Sequence, residues 1–289
     1  MQLQSKHIFS GHSGPVYTLE IKDHTHFFSA GSDGIIAEWS RDNPSEAKAL
    51  AMTNQPVFSL CYLREQQILL AGTLAGWIHS IDLNQAKEVR ISDLQNKGVF
   101  KIHAFDNKIW VLGGNGKLGI YNEEMKALKE MDLSESKLRS ILCMESEIWI
   151  GDSAGQIFIV SYPDLALKHV FRAHSPSVYA MVQKGEFIYS SGRDGHIRKW
   201  NKKMEMIWQI PAHNYAIYSL FLWGNILVSG SRDRKLKMWN TDGGFLGKTM
   251  PEKPFRGSVN HAILWQDAVL CASDDARIQL FGLEEQAEI

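Results

Sequence analysis

Three sets of residue types that could do chemistry recur in this 289-residue sequence. In each set a serine lies 16 or 17 residues after a histidine, and an aspartate follows that serine by four residues. Serine, histidine and aspartate form the triad of acyl-transfer enzymes, where histidine takes the proton of the nucleophilic serine. A tryptophan follows each serine by ten residues. The sets are His12, Ser29, Asp33 and Trp39; His174, Ser190, Asp194 and Trp200; and His213, Ser229, Asp233 and Trp239.

The recurrence of these sets argues against catalysis. An enzyme needs one constellation, whereas a repeated fold needs the same structural contacts in every unit. The triad pattern also arises often outside the geometry that catalysis requires. We therefore predict no catalytic residues and assign the three sets to structure.

The tryptophan position extends into a repeat that runs through the whole chain. Aligned without gaps, it holds an apolar residue seven times, at steps of 42, 40, 39, 40, 39 and 42 residues. These residues are Trp39, Ile81, Tyr121, Val160, Trp200, Trp239 and Phe281. A period near 40 is typical of propellers with four-stranded blades. The sequence therefore predicts an all-β fold, a seven-bladed β-propeller of four-stranded antiparallel blades.

The first strands of the units are expected to begin at Val16, Val57, Val99, Leu138, Val178, Ile217 and Val259. We find no convincing helix of ten residues or more. The expected blades of this single domain are 11–52, 53–92, 93–132, 133–172, 173–211, 212–250, and 251–283 with 1–10. The last unit runs out before a fourth strand, so Gln4–Ser10 is expected to supply that strand and close the ring. Closure matters because an open ring leaves strand edges unpaired.

The composition narrows the function classes. Formal net charge is −1 and the pI is about 6.8, so no global basic field attracts nucleic acid or anionic lipid. The three cysteines, Cys61, Cys143 and Cys271, lack disulfide or metal spacing and lie in or beside apolar runs. We expect reduced thiols in a cytoplasmic protein. No apolar run is long enough for a signal peptide or a membrane span.

These motifs resemble the tryptophan–aspartate (WD-repeat) β-propeller family. The resemblance rests on Gly11-His12, Ala173-His174 and Ala212-His213, together with the serine, aspartate and tryptophan that follow each pair. It implies that the four residues of each set form one hydrogen-bonded chain inside a blade, which would satisfy a buried indole and a buried imidazole. It also implies a scaffold for protein–protein interaction.

Four units depart from the family pattern, and their blades are expected to rely on apolar packing. At the aspartate and tryptophan positions they have Ala75 and Ile81, Asn115 and Tyr121, Ala154 and Val160, and Asp275 and Phe281; the last unit also has Cys271 at the serine position. The blade boundaries between residues 57 and 170 are the least constrained.

Two further motifs suggest a cofactor or a metal. Gly114–Gly119 matches a dinucleotide fingerprint as a string, but that fingerprint needs a following helix, and a strand is expected here. His24 and His26 lie in an expected hairpin turn without further ligands at suitable spacing. We predict neither a cofactor nor a metal site.

Two sets of variable positions bear on partners. The residues just before the turn aspartate position are Ser32, Leu74, Gly114, Ser153, Arg193, Arg232 and Asp274. The residues after the first-strand starts are Tyr17, Phe58, Phe100, Arg139, Tyr179, Tyr218 and Asn260. They either pack between blades, which we favour for Phe58 and Phe100, or line the rim of the central channel, where tyrosine and arginine are effective anchors. Our hypothesis is an aromatic and cationic patch that binds an acidic or Tyr/Leu-bearing peptide, formed by Arg139, Tyr179, Arg193, Tyr218, Arg232 and Arg256. The alternative is that these charges are merely solvated.

The favoured function is a non-enzymatic scaffold or adaptor that binds a protein or peptide partner, as a monomeric propeller within a larger complex. One alternative is an enzyme with an active site in the channel. It needs several acidic or histidine residues on the inner strands, and Glu20, His103 and His261 are few and scattered over three blades. A further alternative, a nucleic-acid-associated propeller, is disfavoured by the near-neutral charge.

Overall fold

A computed structural model describes residues 1–85, 87–93, 97–250 and 255–284, and 28 β-strands make up the regular structure of these residues. The strands of the first half are β1 (Gln2–Ser10), β2 (Val16–Ile21), β3 (His26–Gly31), β4 (Ile35–Ser40), β5 (Ala47–Met52), β6 (Val57–Leu63), β7 (Ile68–Thr73), β8 (Trp77–Asp82), β9 (Lys87–Asp93), β10 (Val99–Phe105), β11 (Lys108–Gly113), β12 (Lys117–Tyr121), β13 (Ala127–Asp132) and β14 (Leu138–Cys143). Those of the second half are β15 (Glu147–Asp152), β16 (Gln156–Ser161), β17 (Leu167–Arg172), β18 (Val178–Lys184), β19 (Phe187–Gly192), β20 (His196–Trp200), β21 (Met206–Pro211), β22 (Ile217–Trp223), β23 (Ile226–Ser231), β24 (Leu236–Asn240), β25 (Phe245–Met250), β26 (Val259–Trp265), β27 (Ala268–Ser273) and β28 (Arg277–Glu284).

Successive strands pair as antiparallel meanders of four, which are the blades of a propeller. Blade 1 is β2–β5, blade 2 is β6–β9, blade 3 is β10–β13, blade 4 is β14–β17, blade 5 is β18–β21 and blade 6 is β22–β25. Blade 7 consists of β26, β27, β28 and β1. The predicted fold class is confirmed, and the seven first strands begin at the expected residues. The start of the last expected blade segment, 251–254, lies outside the described residues.

The N-terminal strand closes the ring. β1 pairs antiparallel with β28 from Gln2 to Ser10, so it is the outer strand of the last blade, as predicted. At its start it also pairs in parallel with β25 of blade 6, over Gln2–Gln4. One strand thus satisfies edges of two blades.

The burial of each strand follows from its place in the blade. Second strands such as β11 and β19 are buried beyond their first residue because both faces meet a neighbouring blade, and their sequences are correspondingly apolar. Outer strands such as β13 and β17 are largely exposed. The core therefore consists of apolar layers between blades. In one of them Phe27 and Trp39 of blade 1 pack against Trp265 of blade 7.

The turn between second and third strands lies at the same end of each blade as the start of the first strand. Gly195 forms part of this turn in blade 5, with a φ of +73° that favours glycine. A Cβ on Gly195 would lie 2.3 Å from the carbonyl oxygen of His213 in blade 6. The equivalent turn of blade 3 contains Gly114 and Gly116 and leads into β12, a strand rather than a helix. We call this end of the propeller the upper face.

Candidate functional site: the mouth of the central channel

A β-bulge recurs at the start of every first strand. The pairing of β2 with β3, for example, passes from Val16 to Thr18 and leaves Tyr17 without a paired residue. Bulges re-aim side chains and are common beside functional sites. The seven bulge residues are Tyr17, Phe58, Phe100, Arg139, Tyr179, Tyr218 and Asn260. We call these seven residues the mouth ring, because all of them line one cavity at the upper end of the channel.

The cavity has a volume of about 630 Å³, within the range of small-ligand pockets. Members of the mouth ring contact their neighbours around it. The rings of Tyr17 and Phe58 stack at 4.8 Å between centroids, and Phe58 lies 5.4 Å from Phe100. Tyr179 and Tyr218 meet edge to face at 5.0 Å. The aromatic residues therefore both pack against neighbouring blades and line the cavity, so the two sequence interpretations describe the same positions.

Arg139 occupies the mouth ring between the aromatic groups. Its guanidinium carbon lies 4.1 Å from the centroid of the Phe100 ring, and its Nε donates a 2.8 Å hydrogen bond to Ser153 Oγ. Burial lowers the pKa of Arg139, although it remains charged at any physiological pH. No carboxylate ion pair to Arg139 forms within the described residues, which leaves a partly desolvated cation facing the cavity.

Of the other five residues of the predicted patch, three line the cavity and two do not. Tyr179, Tyr218 and Arg232 line the cavity. Arg193 is exposed on the upper face, close enough for its charge to act on the Tyr218 hydroxyl, but it does not line the cavity. Arg256 is also exposed and does not line the cavity; its backbone N–H donates to Asp275, the residue after the lining residue Asp274. The patch at the mouth therefore comprises Arg139, Tyr179, Tyr218, Arg193 and Arg232, and it does not include Arg256.

The channel wall below the mouth ring carries Lys101 and three titratable residues, Glu20, His103 and His261. The sequence interpretation treated these three as scattered over three blades. Lys101 and His261 line the cavity from blades 3 and 7. The charge of Lys101 acts on Glu20, His103 and His261. The three residues do belong to three different blades, as the sequence indicates, and the closed ring brings them within the electrostatic influence of one ammonium group. The residues are far apart in sequence, and only the closed ring makes them neighbours.

Burial is the largest influence on the pKa values of Glu20, His103 and His261. It raises the pKa of Glu20 to about 7, even though Lys101 and an N–H from Tyr62, 3.2 Å from Glu20 Oε1, favour the carboxylate. Burial, reinforced by Lys101, lowers the pKa of His103 to about 4 and that of His261 to about 3. Both imidazoles are therefore neutral at pH 7. His261 Nδ1 accepts the Leu19 N–H at 2.9 Å, so its proton is on Nε2.

The His–Ser–Asp–Trp sets lie within blades 1, 5 and 6, away from the cavity. In blade 5 the Trp200 indole N–H donates to Ser190 Oγ at 2.8 Å, Ser190 lies 2.8 Å from His174 Nε2, and His174 Nδ1 lies 2.9 Å from Asp194. Blades 1 and 6 repeat this chain, with contacts between 2.7 and 2.9 Å: His12, Ser29, Asp33 and Trp39, and His213, Ser229, Asp233 and Trp239. A serine that already accepts an indole N–H in the interior of a blade is placed for structure.

Electrostatics support the same interpretation in blade 5. Burial lowers the pKa of His174, which is therefore neutral. Burial opposes ionisation of Asp194, but hydrogen bonds from His174 and Arg198 outweigh it and hold the pKa of this carboxyl well below its usual range. Arg198 Nη1 lies 2.7 Å from Asp194 Oδ2. Sequence reasoning missed Arg198, since blade 1 has Ala37 at that position.

Polar networks also occur where apolar packing was expected. In blade 4 the fully buried Asp152 accepts hydrogen bonds from Ser134 Oγ at 2.7 Å and from the Gln156 N–H at 2.8 Å. Asp152 lies two residues before the repeat's aspartate position, which Ala154 occupies. In blade 7 Asp275 pairs with Arg277. The signal for Asp152 was an aspartate in a run otherwise free of charge, Ile148–Asp152.

The chain is similar to known proteins both in sequence and in fold. Residues 3–40, 165–201 and 204–240 match the family described as WD domain, G-beta repeat. No curated protein sequence matches the chain. The WD40 β-propeller domain of Doa1 superposes with a TM-score of 0.87 over 98% of both chains, at 16% identity. The computationally designed Ika8 protein gives a TM-score of 0.73 over 94% of this chain and 85% of its own, at 20% identity.

The fold and the likeness to these structures define a seven-bladed β-propeller. Three of its segments, which end just after Trp39, Trp200 and Trp239, match the repeat of WD-repeat propellers. Such propellers typically mediate protein–protein interaction and are generally not enzymes. Across the described residues there is no helix that is long and apolar enough to cross a membrane, and no group of three or more potential ligands placed to hold a metal.

Proposed function

We propose that this propeller is a non-enzymatic interaction scaffold whose upper face binds a protein segment that presents an acidic side chain to the channel mouth. One observation supports the proposal above all. Seven bulges turn one side chain per blade toward a single cavity, and the resulting ring is aromatic and cationic. Aromatic residues and arginine are the side chains most often responsible for binding energy at interfaces.

The charges at the mouth favour an anionic partner. Arg139 and Arg232 line the cavity, and Arg193 and Lys137 are exposed beside it. Asp274 is the acidic residue of the lining, and Asn260 Nδ2 already donates to it at 2.8 Å. Complementary charge steers association and selects among partners more than it adds affinity.

The channel groups do not favour the enzymatic alternative. Ser59 and Ser219 accept backbone N–H groups from the next blade, both at 2.8 Å, which gives them a structural role. Burial raises the pKa of Cys61 to about 12, so it is a poor nucleophile at pH 7. Neutral His103 and His261 thus have no activated nucleophile beside them.

The proposal is tested by affinity purification with three forms of the chain as bait. Arg193→Glu/Arg232→Glu reverses charge at the mouth, and Lys202→Glu/Lys203→Glu makes the same change in the exposed β20–β21 turn at the opposite end of blade 5. We expect partners captured by the wild type to be lost with the first variant and retained with the second. Equal capture by all three baits would refute the proposal.

We also infer a cytoplasmic monomer that enters a larger complex. Cys61, Cys143 and Cys271 are free thiols, as is usual in reducing compartments. Light scattering of the purified chain and imaging of a fluorescent fusion test these two inferences. A dimer, or fluorescence confined to an organelle, would contradict them.

A further inference from the structure

Lys101 is the cation in a column of otherwise uncharged side chains along the channel. The column is the residue that follows each mouth-ring residue in the first strands, and four of its members hydrogen-bond to the backbone of the next blade. Ser59 accepts from the Ile102 N–H, Ser219 from the Ala262 N–H and His261 from the Leu19 N–H, while Ser140 donates to the Val178 carbonyl. A lysine ammonium has only donors, so Lys101 cannot accept such an N–H. Thr18 and Ala180 of this column also form no such bond with the described residues, but only Lys101 places a cation in the channel.

That cation forms no ion pair within the described part of the chain. Lys101 is partly buried, lines the cavity and forms no hydrogen bond or ion pair with the described residues. Its charge acts on Glu20, but Glu20 Oε1 accepts an N–H from Tyr62 and forms no ion pair with the ammonium. A partly desolvated charge without a partner is unfavourable, and an anion in the cavity would relieve that cost.

The charge of the lining sets the charge of the ligand. The cavity is lined by three cations, Lys101, Arg139 and Arg232, and by one carboxylate, Asp274, which gives a net charge of +2. A carboxylate side chain would neutralise half of this excess. A phosphate monoester carries about −1.5 to −2 at pH 7 and offers three acceptor oxygens. Arginine matches these oxygens with paired N–H groups, lysine acts as a point charge, and His261 adds an Nε2–H donor.

We propose that the cavity binds a phosphate monoester, with the phosphate between Lys101, Arg139 and Arg232 and an apolar or aromatic group against the mouth ring. This inference rests on the proposed function, because it names the anionic group that the mouth accepts. The stacked pair Tyr17 and Phe58 supplies an apolar wall for the organic part. The volume of about 630 Å³ holds an aryl phosphate with room for solvent.

The test is calorimetric titration of the full chain with phenyl phosphate, inorganic phosphate, and one short peptide prepared with phosphotyrosine or with tyrosine. We expect phenyl phosphate and the phosphopeptide to bind, the tyrosine peptide not to bind, and inorganic phosphate to bind more weakly than phenyl phosphate. Tighter binding of the phosphopeptide than of phenyl phosphate means that a partner supplies the group; equal binding means that a free monoester suffices. No measurable binding of either monoester would overturn the inference.

Three single-residue variants test where the phosphate monoester binds. Lys101→Met keeps the side-chain stem and should weaken phenyl phosphate binding at least tenfold, whereas Lys202→Met, in the exposed turn at the opposite end of blade 5, should leave it unchanged. Arg232→Gln changes an exposed residue and should weaken binding several-fold, which keeps the test open if Lys101→Met does not fold. Equal affinity of the wild type and folded Lys101→Met would overturn the inference. Capture of a carboxylate-bearing partner that survives Lys101→Met would overturn it too, but would leave the proposed function standing.

Discussion

The central carbon of the Arg139 guanidinium lies over the Phe100 ring, 4.1 Å from its centroid. This contact, together with the Nε bond to Ser153, holds the remaining N–H groups toward the cavity. Lysine cannot stack in this way and donate to a fixed acceptor at the same time. We therefore predict that Arg139→Lys weakens phenyl phosphate binding several-fold while the melting temperature stays close to that of the wild type. Unchanged affinity in calorimetry would show that charge alone is sufficient at this position.

The serine of each His–Ser–Asp–Trp set is predicted to be a stability residue. Ser190→Ala would leave the Trp200 indole N–H and His174 Nε2 without their partner inside blade 5. A buried polar group without a partner costs about 1–3 kcal/mol, so we expect the free energy of unfolding to fall by about 2–4 kcal/mol. The control is Ser45→Ala on the surface, expected within about 0.5 kcal/mol of the wild type. Denaturant unfolding measures both, and a similar small effect of the two changes would contradict the structural role.

The fold was predictable because the repeat constrains positions even where it changes residues. Ala75, Asn115 and Ala154 replace the repeat aspartate, yet each still occupies the second residue of the turn between the second and third strands. Turn geometry and strand length recur with the period, independently of the side chain. The ring closure by β1 was also predictable, since the last unit has three strands of its own and a propeller leaves no unpaired blade edge.

The site was less predictable, because its geometry comes from strand pairing and from ring closure. The sequence gives no sign that Tyr218 is a bulge residue, since that depends on how β22 pairs with β23. Glu20, Lys101 and His261 belong to blades 1, 3 and 7, and they become neighbours only around the channel. Arg256 was predicted to extend the patch; it lies near the lining residues Ser258 and Asp274 but does not line the cavity itself.

The N-terminal strand is predicted to stabilise the ring through one buried side chain above all. Phe9 is fully buried and lies 5.0 Å from Phe27 and 5.8 Å from Trp39, between ring centroids, so it joins blade 7 to blade 1. Truncating a buried phenylalanine costs about 3–5 kcal/mol, which is the loss we expect for Phe9→Ala. Ile8→Ala is the control, because Ile8 is 47% exposed in the same strand. Deletion of residues 1–9 should lower the melting temperature further, and an unchanged value would refute ring closure as a source of stability.

The buried imidazoles of the channel predict a loss of stability in acid. The pKa of His103 is about 4 and that of His261 about 3, whereas unfolded histidine titrates near 6.5. Below about pH 6.5 each of these two histidines binds more protons in the unfolded state, so their contribution to the free energy of unfolding decreases as pH falls toward 4. Glu20, whose folded pKa is about 7, contributes in the opposite direction. His103→Gln should flatten this decrease, and the exposed His24→Gln should not. Unfolding curves at several pH values check it, and equal slopes in the wild type and His103→Gln would contradict it.

The ionisation of Glu20 predicts that anion binding becomes weaker as pH rises. Its pKa is about 7, so it loses its proton between pH 6 and pH 8, and the resulting negative charge lies near the Lys101 ammonium. The neighbouring Cys61 thiol does not titrate in this range, because burial raises its pKa to about 12. A carboxylate at Glu20 repels a second anion and screens the ammonium.

We therefore expect sulfate, whose own charge is constant over this range, to bind several-fold more tightly at pH 6 than at pH 8. Sulfate replaces the phosphate monoester here because the second ionisation of phosphate, near pH 6, would add a dependence of its own. Glu20→Gln should bind equally at both pH values, with an affinity close to that of the wild type at pH 6. Lys101→Met should bind weakly at both. Calorimetric titrations of the three proteins decide the matter, because a pH dependence that persists in Glu20→Gln would assign the proton to another group and separate the anion site from this carboxylate.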